Sequence, residues 1–146
     1  MSTHPDAGML AVARVRAVRE RDSRLGLQQA MDEQRRHEES LVDLGRRLDE
    51  ALRFDAGSVA NFLTVRAGYQ ALTEQICSAT AELTTARTIT DSARDHWQRD
   101  KTRLSAVERL LERRTDERRI EQRRREVREL DDLVSQRWQR SGGNAA

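Results

Sequence analysis

The sequence predicts an all-α protein: two long helices forming an antiparallel coiled-coil hairpin, the second helix longer than the first and projecting beyond it. Three observations carry this expectation. Between Phe62 and Leu111 every seventh residue falls in one column, namely Phe62, Tyr69, Ile76, Leu83, Thr90, Trp97, Leu104 and Leu111. A second column three places on reads Val65, Leu72, Ala79, Ala86, Ala93, Asp100 and Val107, so the pair makes the a/d seam of a left-handed coiled coil. The single proline is Pro5 and the one convincing break is Phe54 to Ser58, which leaves two uninterrupted helical tracts.

Residues 1–8 (MSTHPDAG) are small and polar and read as a flexible tail. Helix 1 is expected over about 9–54. From Leu41 its apolar residues, Leu41, Leu44, Leu48 and Ala51, keep a clean 3, 4, 3 spacing. Earlier, Val18 and Leu25 fall in one frame while Leu27, Ala30, Gln34 and His37 fall in another, which predicts a local change of register near Leu25 to Leu27. Gln34 and His37 weaken the middle of the seam.

The turn is placed at 55–58. Gly57 is expected to take positive φ and end helix 1, and the Ser58 hydroxyl to accept hydrogen bonds from the free N–H groups opening helix 2. Helix 2 is expected over about 59–140, with residues 141–146 a flexible end. At 1.5 Å per residue it spans roughly 120 Å against roughly 70 Å for helix 1. A turn centred near residue 56 sets Leu10 opposite about residue 102, so helix 2 from about Ser105 onward is expected to lack a partner within the chain.

The centre of that unpartnered part is the run RRTDERRIEQRRREVR. Arg113, Arg114, Arg118, Arg119, Arg123, Arg124, Arg125 and Arg128 alternate with Asp116, Glu117, Glu121 and Glu126. Pairs at i,i+4, Arg113 with Glu117, Glu121 with Arg125 and Arg128 with Asp132, are each expected to add about 0.2–0.5 kcal/mol to an exposed helix. A sparser apolar line runs through Ile120, Val127, Leu130, Leu133, Val134 and Trp138, shifted by two from the earlier column. Arginines beside exposed Leu130, Leu133 and Trp138 make this the candidate protein-binding surface.

Composition narrows the function classes. With 36% charged and 3% aromatic residues the chain has too little apolar mass for a broad core and must bury a thin seam. Net charge is +2, so it is no polycation, and the basic residues are Arg throughout except Lys101. Acids interleaved with the arginines would face the phosphates of a nucleic acid, which argues against that partner. No phosphate-binding glycine loop or nucleophile motif is present; His4, His37 and His96 lie far apart and Cys77 stands alone. The expectation is therefore a non-enzyme with no catalytic residue, metal site or cofactor. Cys77 without a disulfide partner, no apolar run near ~18 residues and no signal-like start point to a soluble intracellular protein.

Several stretches resemble the FliJ family, the small soluble component of the bacterial flagellar type III export apparatus. They are VRAVRERDSRLGLQQA, LTVRAGYQALTEQI and DKTRLSAVERLLERRTDERRIEQRRREVRELDDLVSQRW, so the similarity covers essentially the whole chain. Its most specific part leads from LLERR (Leu110 to Arg114) through Glu121, Gln122, Arg124, Arg125 and Glu126 to Glu129, Leu130, Asp131, Asp132 and Leu133. The resemblance implies a cytosolic two-helix coiled coil similar to the central stalk of rotary ATPases. It implies as partners the hexameric flagellar export ATPase, the cytoplasmic domain of the export gate and export chaperones, with membrane association only peripheral and through those partners. One departure is that Arg stands almost everywhere the family often carries Lys. The alternative is a general coiled-coil scaffold or dimeric adaptor, or the equivalent stalk of a virulence secretion system.

Overall fold

The computed structural model describes residues 5–53 and 57–142. Two helices account for nearly all of them: α1, Ala7–Leu52, of 46 residues, and α2, Val59–Gly142, of 84 residues. α1 thus opens two residues before the expected Met9. Residues 1–4, Phe54 to Ala56 and residues 143–146, on which parts of the expected tails and turn fall, lie outside the described residues.

The helices pack in two compact units, Arg16–Thr102, and the turns of α1 up to Val15 with α2 from Arg103. In the first of these the pairing is antiparallel: Thr90 of α2 sits against Ala30 of α1, and Trp97 against Glu20. The deepest side chains are Thr90, Leu83, Ala86, Asp100, Ala79 and Leu27, and all those on α2 belong to the two columns read from the sequence. Small residues in the second column let the backbones approach closely enough for the Thr90 hydroxyl to donate to the Ala30 carbonyl at 3.2 Å.

Two expectations about this unit are corrected. α1 shows no register change: its inward residues Arg16, Glu20, Ser23, Leu27, Ala30, Gln34, His37, Leu41, Leu44, Leu48 and Ala51 step by three and four without interruption, while Val18 and Leu25 are exposed. The unbroken columns of α2 set that register, since a shift in α1 alone would misplace every subsequent knob. Phe62 and Tyr69, expected in the seam, are both exposed, at 63% and 41%. The stagger that sets Thr90 against Ala30 leaves Phe62 facing a position beyond the end of α1 at Leu52. Val65, Leu72, Ile76 and Trp97 are half-buried as expected, and Leu83 fully so.

Around the turn, Ser58 caps α2 as anticipated: its carbonyl accepts from the Phe62 N–H at 3.1 Å and its hydroxyl from the Asn61 N–H at 3.4 Å. Gly57 does not have positive φ, so the expected left-handed glycine cap is absent there. A side chain at 57 would meet the Asn61 amide nitrogen at 2.6 Å, and the exposed Asn61 side chain would have to move aside.

In the second unit Leu104, Val107 and Leu111 are half-buried as expected, alongside Met9, Leu10 and Ala13 of α1. The partnered part of α2 runs further than expected, because Asp6 at the start of α1 is bonded to Arg114 and Arg118. The turn-centred estimate falls short because the stagger carries α1 further along α2. From Gln122 to Gly142 every residue of α2 is exposed.

Candidate partner-binding surface

α2 continues beyond its last partner because its sequence tolerates solvent: helix formers predominate, and no proline interrupts it. Along it the candidate residues divide into two groups. Arg114 and Arg118 are already engaged within the chain. Arg113, Arg119, Arg123, Arg124 and Arg128 are exposed and make no ion pair among the described residues, while Arg125 Nε lies 3.5 Å from Glu121 Oε1. Of the three expected i,i+4 pairs only that one forms. Arg113 with Glu117 and Arg128 with Asp132 do not, since exposed guanidiniums gain too little from such contacts to be held. Leu130, Leu133 and Trp138 are exposed at 61%, 58% and 77%, with Ile120, Val127 and Val134 beside them.

Asp6, read from the sequence as part of a tail, bonds to two of the candidate arginines. Its carbonyl accepts the Leu10 N–H at 2.8 Å, so it occupies the N-cap position of α1. Its carboxylate is only 4% exposed and reaches across to α2, with Oδ1 at 3.2 Å from Arg114 Nη1 and Oδ2 bonded to Arg118 Nη1. The hydrogen bond from Arg118 is the main influence holding its pKa below the ordinary aspartate range; burial opposes it and Arg114 adds to it. Arg114 and Arg118 continue the two seam columns past Leu111, so an ionic layer takes the place of the next apolar one. The available signal is Pro5-Asp6 ahead of the first apolar residues, a helix start concealed by its place in a small, polar terminus.

Further along the seam polar groups are also matched. Trp97 Nε1 donates to Glu20 Oε1 at 2.9 Å, and Lys101 Nζ stands 4.8 Å from the Trp97 ring centre. His37 lies between Glu33, at 3.4 Å from Nε2, and Glu82, at 3.6 Å from Nδ1. Gln34 Nε2 donates to Glu38 Oε1 at 3.0 Å, and that bond, with Arg87 adding to it, lowers the pKa of Glu38. Among the described residues no cluster of His, Cys, Asp or Glu could hold a metal ion, and no helix is long and apolar enough to cross a membrane.

A thin polar-edged seam between two helices, with α2 exposed from Gln122 to Gly142, defines a helical coiled-coil protein. The model of the family described as flagellar FliJ protein matches residues 8–143, nearly the whole chain. This chain belongs to the FliJ family and is a component of the flagellar export apparatus, a family of structural components rather than known enzymes. No curated protein matches it, and no solved structure does.

Proposed function

We propose that this protein is a cytoplasmic coiled-coil stalk of the flagellar export apparatus, peripheral to the inner membrane. It binds the hexameric export ATPase through the segment from Arg113 to Trp138, meets the cytoplasmic domain of the export gate, and so supports type III secretion of flagellar subunits. The observation that carries this reading is family membership over residues 8–143 together with an exposed helix from Gln122 to Gly142. Arginines held ready on a stiff helix suit contact with the carboxylates of a ring, being orientable and sensitive to salt. Arg114 and Arg118 join this surface only where Asp6 shares or releases them.

The test is capture of the export ATPase by the full chain and by the variant Arg119→Glu/Arg123→Glu/Arg128→Glu, at low and high salt. Capture that weakens in the variant, and in the wild type as salt rises, supports the assignment; capture indifferent to both removes the arginines from the interface.

A further inference from the structure

The apolar line on the exposed end of α2 repeats at heptad spacing. Ile120, Val127 and Val134 form one column, and Leu130 lies three places after Val127, with Arg123 and Arg137 in the same second column. All the apolar members are more than half exposed. This is half of a coiled coil, and its flanking charges indicate what completes it.

Two parallel copies would set Arg119 against Arg124 of the other copy, and Glu126 against Asp131, like charge against like at both flanks. Two antiparallel copies with Val127 packed on Leu130 of the other would instead place Arg124 against Asp131, and the two-fold axis makes that attractive pair twice. Neither Arg124 nor Asp131 has an ion-pair partner within its own chain among the described residues, so both are available. Residues 119–138 carry six arginines and five acids, so the two copies do not repel as wholes.

We propose that the exposed end of α2 docks a second copy of this chain, antiparallel, centred between Val127 and Leu130. The inference goes beyond the stalk reading and does not rest on it. The apolar centre is short and is bounded by Arg123 and Arg137, so the association is weak and reversible, and another chain competes for the same face. Self-pairing keeps an adhesive stripe covered until that chain arrives.

The experiment is sedimentation equilibrium of the full-length protein from about 1 µM to about 500 µM, with helicity of every variant checked by circular dichroism. The wild type dimerises within that range, and Leu130→Glu stays monomeric. Arg124→Asp sets acid against Asp131 and weakens the dimer about tenfold; adding Asp131→Arg restores it. The charge variant also reads orientation, because in a parallel pair Arg124→Asp would relieve its clash with Arg119 and tighten the dimer. A wild type that remains monomeric throughout, or an Arg124→Asp variant that binds itself more tightly, overturns the proposal. Neither result bears on capture of the ATPase, so the two readings fail separately.

Discussion

The carboxylate of Asp6 is bonded to the guanidinium of Arg118, across from the first turn of α1 to α2. A side chain at the N-cap usually accepts from its own helix, which would make the start of α1 independent of α2. Here the cap's carboxylate reaches across to α2, and the start of α1 is tied to the arginines opposite.

Replacing Asp6 by Asn is therefore expected to loosen α1 locally. Amide exchange over Ala7 to Ala13 rises, while the main melting transition, set by the Leu83 and Leu27 seam, stays in place. The pH dependence has a definite sign. The pKa of Asp6 is lowered on folding by Arg118, so its contribution is present above the unfolded value, near pH 4, and is lost as pH falls through the folded one. The exchange difference between wild type and Asp6→Asn should accordingly be clear at neutral pH and vanish in acid. Glu38, lowered by Gln34, and Asp43, lowered by Arg46, add acid sensitivity of the same sign.

The seam's stability is concentrated in few side chains. Leu83 is 5% exposed, and Leu83→Ala is expected to cost about 2 kcal/mol, the low end for a buried leucine because two helices can close on a small gap. Ala86, 6% exposed, is expected to respond in the opposite manner: Ala86→Leu forces the backbones apart and costs about 1–3 kcal/mol. Chemical denaturation read by circular dichroism measures both. An Ala86→Leu variant as stable as the wild type would show that the helices do not approach as closely as the Thr90–Ala30 bond requires.

Phe62 provides the converse case. In the heptad column it ranks with Leu83, yet at 63% exposure Phe62→Ala is expected to change stability by no more than about 0.5 kcal/mol. A loss of about 2 kcal/mol or more, measured by denaturation, would put it back in a packed seam.

These residues mark what was legible in the sequence. α2 could be read from its own columns, because an apolar residue or alanine occupies most of both, and Leu83, Ala86 and Trp97 all lie where the period put them. α1 could not be read alone. Arg16, Glu20 and Ser23 stand at its inward positions while Val12, Val15, Val18 and Leu25 point away, so its local pattern argues for a frame that α2 overrules. Phe62 and Asp6 failed for one further reason, the axial stagger. No periodicity encodes that offset: the pairing of Thr90 with Ala30 leaves Phe62 exposed, and in the other unit Asp6 meets Arg118. On the candidate surface the exposed arginines and Trp138 were readable from composition, whereas the engagement of Arg114 and Arg118 depended on the same stagger.

The two tryptophans report separately on seam and surface. Trp97 is half-buried with its N–H on Glu20, whereas Trp138 is 77% exposed. Trp138→Phe should leave an emission shielded from a soluble quencher until the helices unfold. Trp97→Phe should leave one that is red-shifted and readily quenched even in the native protein, while the lost indole bond to Glu20 costs about 1 kcal/mol. The Trp97→Phe protein then serves as a probe of the exposed helix: occupation of that face, by a second copy or by the export ATPase, shifts its emission to the blue and shields it. A binding partner that leaves Trp138 as quenchable as before contacts the chain somewhere other than the end of α2.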